Sequence, residues 1–444
     1  MKRLLTLFAL LCVILPYSAF TAPQNIIVMI SDGCGFEHVR SAEYYRVGQD
    51  STAVFQSFPV RLAACTWSLS GAPYNPDVFR HNAEAVLKRP TDSAAAATAL
   101  ATGRRTLNGS LGVDGNGTPC KNITERAYDL GKATGVVTTV QFIDATPAGF
   151  TIHASNRRDY TDIGREMLCD SHLRVCMGCG NPAYVAADST AYVEKDFLYV
   201  GGRETWNRVL AREAMSDCDN DGENDAWTPV FSREAFQRLA TSPAPRRLLG
   251  VPRTGKGLQQ LRPGNEFADA YAVPFTPGVP TLAELTRAAL NTLDDDPDGF
   301  FLMVEGGAVD RASHENSAGR MIEEQIDFVA AVDAVVDWVE AHGGWERTLV
   351  VVTADHETGC LSGPGSACEG ENVKLQPVEN RGQGHMPGIM WFSGNHSNNL
   401  VPFYAKGPGA EEFAGNLAGR DPVRGDYIEN ISIGLTLHRL WGGQ

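Results

Sequence analysis

Three short stretches collect the residue types that bind metals and attack electrophiles. The first is Thr91-Asp92-Ser93, followed by the alanines Ala94 to Ala97 and closed at Gly103. High helix propensity after an Asp-Ser pair puts Ser93 at a helix N-terminus, where free N–H groups and the helix dipole favour an anion. Taken alone, the stretch fits an ordinary cap made by Asp92 or Ser93. A nucleophilic serine requires acidic and histidine residues to converge on it from elsewhere.

The second stretch runs from Glu305 through Gly306 and Gly307 to Asp310, Arg311 and His314. Asp310 and His314 share one face if the segment is helical, and the glycines let the backbone turn sharply after Glu305. A carboxylate with an imidazole suits zinc, although the same spacing also fits a surface ion pair. The third is Asp355-His356, whose side chains can both enter one site only where the chain leaves strand geometry. His396, in Gly394-Asn395-His396-Ser397, is an isolated histidine in a polar loop.

The elements that must position these groups are legible as apolar runs. Asn25–Ile30 reads as a buried parallel strand and ends at Ser31-Asp32-Gly33. Val136–Val140 leads into Asp144, Phe300–Val304 into Glu305, and Leu349–Thr353 into Asp355 and His356. Helical candidates at Ile123–Ala133, Thr281–Leu293 and Glu323–Ala341 lie between them. This alternation predicts an α/β fold, a large and mostly parallel central sheet with ligands bound beyond the carboxyl ends of its strands. Acidic residues delivered to one sheet edge repel one another, and metal cations are the usual remedy.

Length and composition set the bounds. A chain of 444 residues can hold one to three domains, and its net charge of −15 excludes non-specific nucleic-acid binding. Met1-Lys2-Arg3, an apolar run from Leu4 to Pro16 and small residues near Ser18 to Ala22 read as a signal peptide over residues 1–22, hence an exported protein. No lipoprotein anchor and no further run of membrane-spanning length is found. The nine cysteines beyond the signal favour disulfides with at least one thiol left free. Cys360 and Cys368 are close enough to close a small loop, and Cys176 with Cys179 has no matching second pair for zinc. Asp217, Asp219 and Asp221 before Gly222 have the spacing of half a calcium loop, but Thr228 stands where a bidentate glutamate belongs. Calcium there and a plain acidic loop are both open.

Taken in order, these pieces resemble the alkaline phosphatase family: Ser31-Asp32-Gly33, Asp92-Ser93-Ala94, Asp144-Ala145-Thr146-Pro147-Ala148, His153–Arg157, Val304–His314, Asp355-His356 and His396. The resemblance spans nearly the whole mature chain. It implies a single domain over residues 23–444 with helices on both faces of the sheet, and possible insertions around 170–260 and 360–394. It also implies hydrolysis of small phosphate monoesters through a phosphoserine on Ser93. Two zinc ions are implied, one on Asp310, His314 and His396, the other on Asp32, Asp355 and His356. Magnesium is implied on Asp32, Asp144, Thr146 and Glu305. Arg157 is similar to the family's phosphate-binding guanidinium, with Arg311 either a second substrate contact or a local counter-charge. Relatives are commonly homodimers. Cys34, where the family often carries methionine, adds a thiol that could bind metal or oxidise. The competing readings are a phosphodiesterase or sulfatase of the same superfamily, or a non-catalytic phosphate-binding homologue; alanines after Ser93 disfavour a sulfatase.

Overall fold

The computed structural model describes residues 22–185 and 196–443; the signal-peptide reading over residues 1–22 falls almost wholly outside them. Eleven strands form one sheet. In chain order they are β1 (Asn25–Ile30), β2 (Val60–Cys65), β3 (Ala133–Gln141), β4 (Val175–Cys179), β5 (Thr228–Val230), β6 (Leu248–Gly250), β7 (Phe300–Glu305), β8 (Thr348–Thr353), β9 (Val401–Lys406), β10 (Leu417–Asp421) and β11 (Gly425–Glu429). Across the sheet the order is β10-β11-β2-β9-β8-β1-β7-β3-β4-β6-β5. All but β9 and β10 run in one direction.

The four acid-delivering runs are the four adjacent central strands, β8, β1, β7 and β3. Their side chains are buried on both faces, as expected of parallel strands sandwiched by helices. Ile30 sits opposite both Thr353 and Glu305, and Glu305 opposite Thr138, so the acidic exits are brought to one edge in register.

Two helix groups cover the sheet. One comprises α1 (Phe36–Val47), α4 (Leu282–Leu293), α5 (Ala308–His314) and α6 (Ala318–Ala341), packed around α6. The other comprises α2 (Ser93–Thr102), α3 (Ala145–Gly149) and α7 (Asn430–Leu440), packed around α2. Six of the ten residues of helix α2 are alanine, in keeping with a surface that is buried all round. There, small side chains let backbones approach: a Cβ at Gly149 would stand 2.8 Å from that of Ala97, and one at Gly434 would stand 2.4 Å from the Gly103 nitrogen.

Three expectations need correction. The helix read over Ile123–Ala133 stops at Asp129; Gly131 then turns at φ +70°, and Ala133 already begins β3. The helix read from Glu323 begins at Ala318. The expected disulfides are not formed: all nine cysteines among the described residues are free thiols. Cys176 and Cys179 lie three apart in β4, hence on opposite faces of a strand, and cannot bond each other. The region around 170–260 supplies β4, β5 and β6 to one end of the sheet.

Candidate active site

Asp92, not Ser93, caps α2. Its Oδ1 accepts from the Ala95 amide at 3.0 Å, and its Oδ2 accepts from the Gly109 amide and from Arg157 Nη1 at 3.0 and 3.2 Å. Ser93 is thereby the first helical residue, with its hydroxyl free of the cap. Its Oγ lies 3.2 Å from His356 Nε2.

Around that contact the exits of β1 and β8 and the helix α5 converge. His356 Nε2 lies 3.1 Å from Asp355 Oδ2 and 3.5 Å from Asp32 Oδ1. His314 Nε2 lies 3.3 Å from Asp310 Oδ2 and 3.1 Å from His396 Nε2. His396 Nε2 is 3.6 Å from Asp310 Oδ1, and its ring stacks on His356 with centroids 3.5 Å apart. Two cation-sized clusters result, Asp310 with His356 and His396, and Asp32 with Asp355 and His356. Gly33 makes this convergence possible. At φ +72° its amide reaches Asp355 Oδ1 at 3.1 Å, and any Cβ would stand 2.8 Å from the Asp310 backbone.

The electrostatics ask for cations. Burial, then repulsion from Asp355, Asp310 and Glu305, pushes the Asp32 carboxyl well above the usual range. Burial and Asp310 bring Asp355 to about 7; burial, with Asp144 and Asp355, brings Glu305 to about 8. Asp32 Oδ1 and Asp355 Oδ2 are buried with no N–H or O–H donor placed on them, and Thr146 Oγ1 lies beside Glu305 without a well-formed hydrogen bond. Burial and the neighbouring His396 hold His356 well below its ordinary value, so its ring is neutral. Burial opposes charge on Asp310 as well, but His314, His396 and His356 outweigh it and keep that carboxylate ionised. Burial likewise opposes a charged His314, yet its bond to Asp310 raises it to about 9, a proton that a bound metal would displace. Neutral imidazoles and under-coordinated carboxylates fit zinc, and the all-oxygen set of Asp32, Thr146 and Glu305 fits magnesium.

Each imidazole is aimed by its second nitrogen. His314 Nδ1 contacts the Gly394 carbonyl at 2.7 Å and His396 Nδ1 the Thr91 carbonyl at 2.8 Å, leaving both Nε2 atoms facing the cluster. Thr358 Oγ1 donates to Asp310 Oδ1. Sequence reading missed Thr358 and the second task of Asp92, because each is defined by a partner far along the chain. The run Asp355-His356-Glu357-Thr358 offered the one usable signal, a hydroxyl two residues after the histidine.

Asp144 caps α3 and is gripped from both sides: Arg157 Nη2 reaches Oδ1 at 3.1 Å and Arg311 Nη2 reaches Oδ2 at 2.5 Å. Arg311 is also bound by the Gln141 side chain and the Lys256 carbonyl, so its guanidinium balances Asp144. Arg157, fixed by Asp92 and Asp144, has further N–H groups to offer a ligand beside Ser93. The Cys34 thiol is buried, turned to the Gly35 carbonyl and pushed up to about 12 by burial, which makes it a poor metal ligand. His153 bonds the Gly112 carbonyl and Glu125, away from Ser93.

The acidic loop is built differently. Asp217 accepts from the amides of Asp219, Asn220 and Gly222, while the Arg246 guanidinium sits among Asp219, Asp221 and Asp225.

The alkaline phosphatase family profile matches residues 23–386. The chain belongs to the alkaline phosphatase family. It is 30% identical to the alkaline phosphatase of Escherichia coli over 75% of this chain and 70% of that one. Identity to the streptomycin-6-phosphate phosphatase of Streptomyces griseus is 33%, over 75% and 73% of the two chains. Identity to alkaline phosphatase 4 of Bacillus subtilis is 28%, over 90% and 87%. The fold is that of the alkaline phosphatase from the Antarctic bacterium TAB5, with a TM-score of 0.66 at 24% identity, covering 95% of this chain and 99% of that one. The Thermus thermophilus alkaline phosphatase gives the same TM-score at 22% identity, covering 96% and 92%. The protein is thus an enzyme of a phosphomonoester-hydrolysing family. Among the described residues, no helix is long and apolar enough to cross a membrane.

Proposed function

We propose that the protein is an exported phosphomonoesterase acting on small phosphate monoesters, with Ser93 as the nucleophile. The observation that carries this reading is the Ser93 hydroxyl, freed from capping and 3.2 Å from His356, with Arg157 held beside it by Asp92. Attack of Ser93 Oγ on phosphorus expels the alcohol and leaves a phosphoserine, which water then hydrolyses. The amides opening α2 offer hydrogen bonds to the phosphoryl oxygens, and Arg157, already oriented by two carboxylates, grips the same group bidentately.

Zinc ions held by Asp310, His314 and His396 and by Asp32, Asp355 and His356, with magnesium on Asp32, Thr146 and Glu305, would supply Lewis-acid stabilisation of charge on the phosphoryl oxygens. Asp144 stands next to the magnesium ligands, but both its oxygens are already engaged by guanidinium groups. Export and a homodimeric state are supported by the signal-like N-terminus and by the family resemblance.

The test is hydrolysis of an aryl phosphate monoester at alkaline pH, with and without chelator, alongside the matching diester. Metal-dependent monoester turnover is expected. Cleavage of the diester alone would overturn the reading. Ser93→Ala is expected to keep the fold and abolish acid-trappable phosphoenzyme.

A further inference from the structure

The hairpin of Ala367–Glu369 against Asn372–Lys374 takes no part in the proposed reaction, yet with the chain from Tyr74 to Val86 it walls a cavity of about 700 Å³. The two segments are joined where the Ala83 amide donates to the Gly370 carbonyl at 2.9 Å. Gly35, Phe36 and Glu357 supply a further wall, and among the described residues neither Ser93 nor any proposed metal ligand lines the space. The rings of Phe36, Tyr74 and Phe79 give it an apolar surface, the last two in contact with centroids 4.5 Å apart. Charge around it is unevenly spent. Its carboxylates are Glu37, Glu357 and Asp421, and each of their oxygens already has a protein donor. Glu37 accepts from Arg40 and Arg424 on one oxygen and from the Val378 amide on the other. Glu357 accepts from the amides of Leu361 and Cys360 and from the Ser397 hydroxyl. Asp421 accepts from the amides of Val423 and Arg424 and from the Tyr74 hydroxyl. The cations are not spent in the same way. Arg80, His81 and Lys374 line the cavity at exposed positions, and among the described residues their side chains have no hydrogen-bond or ion-pair partner. Arg424 spends only Nη2 on Glu37 and lays its guanidinium over Phe36, 4.5 Å from the ring centre.

We propose that this cavity is an accessory binding site for a small aromatic anion. The ligand's ring lies against Phe36, Tyr74 and Phe79, and its charged group faces Arg80, Lys374 and the unused N–H groups of Arg424. Aromatic walls reward a flat apolar body, and guanidinium and ammonium groups without internal partners reward a negative charge. A neutral ring forgoes the cations and an inorganic anion forgoes the walls, so the two features together set the ligand class. The volume lies inside the roughly 300–1,000 Å³ range of small-molecule sites. The chain as a whole carries −15, so an anion is drawn to this rim and repelled by the general surface.

The experiment titrates the full-length mature enzyme with 8-anilinonaphthalene-1-sulfonate, read by its fluorescence, beside the uncharged N-phenyl-1-naphthylamine. Saturable binding of one sulfonate per chain is expected, with the uncharged probe weaker by about tenfold. Reversing the two exposed rim charges together, Arg80→Glu with Lys374→Glu, is expected to weaken the sulfonate by about tenfold and move the uncharged probe by less than about twofold. Phe79→Ala is expected to weaken both probes. Sulfonate affinity unchanged by the double charge reversal would place the probe elsewhere and overturn the proposal. Equal affinity for the two probes, or no saturable sulfonate binding by the wild-type enzyme, would overturn it as well. Every readout is binding and needs no turnover, so the result stands apart from the fate of the phosphomonoesterase reading.

Discussion

Two acidic clusters in this molecule have similar residue types and differ in burial and in counter-charge. At the sheet edge, Asp32, Asp355 and Glu305 are buried and displaced above their ordinary values, and two of their oxygens lack donors. In the loop, Asp217 is stabilised by three backbone amides and Arg246 bridges Asp219, Asp221 and Asp225, offsetting part of their charge. Burial still raises Asp219 and leaves one of its oxygens without a donor. Both clusters bring carboxylates close enough together to hold a cation. What separates them is burial with no guanidinium among the carboxylates, which destabilises the sheet-edge site until a cation arrives.

The largest separation between the two clusters is expected on chelation. Stripping divalent metals should lower the turnover rate by more than about 1000-fold and the Tm by roughly 10 °C or more, readable by calorimetry. Equal stability with and without metal would erase the contrast. Next in size is Arg157→Ala, expected to cost about 100-fold in kcat/KM while metal analysis stays unchanged. Loss of metal in that variant would mean that Arg157 acts by holding Asp144.

A smaller effect is expected in the loop. Arg246 is half-exposed, so Arg246→Ala should lower Tm by only about 2 °C. Calcium should leave the wild-type melting curve unmoved and recover that loss in the variant. A calcium shift in the wild type would show that the guanidinium leaves the loop when a metal competes.

The smallest effect isolates burial from metal binding. Glu324 is buried with one unpartnered oxygen, and burial, then Asp327 and Glu323, push its carboxyl well above the ordinary value. Its stability contribution is therefore greatest below the unfolded pKa and falls as pH rises toward the folded one. Glu324→Gln should raise Tm by about 1–2 °C near pH 9 and by nothing near pH 4. A pH-independent gain would point to packing instead.

Much of this was legible in the chain because strand ends and acidic residues coincide. Asp32, Glu305 and Asp355 each follow an apolar run, and the structure makes those runs adjacent strands. Asp310 and His314 were readable from helical spacing, and helix α5 puts them on one face. His396 carried no local signal, since its place depends on a ladder with Thr358 and on the Thr91 carbonyl. The partnership of Arg311 with Asp144 was equally hidden, being a contact across 167 residues. Cysteine count pointed to disulfides, but pairing is decided by which face of a strand each sulfur occupies, and counting carries no such information.

Strand β9 has a consequence for how the molecule is made. It runs between β2 and β8, so the early strand β2 has no edge to join until residues 401–406 have been synthesised. During synthesis, the N-terminal portion must wait with two unpaired strand margins open. His396 emerges only just before this keystone. The nascent chain is thus exposed to mispairing for most of its elongation, and it acquires its full ligand set and closes the gap in its sheet almost simultaneously.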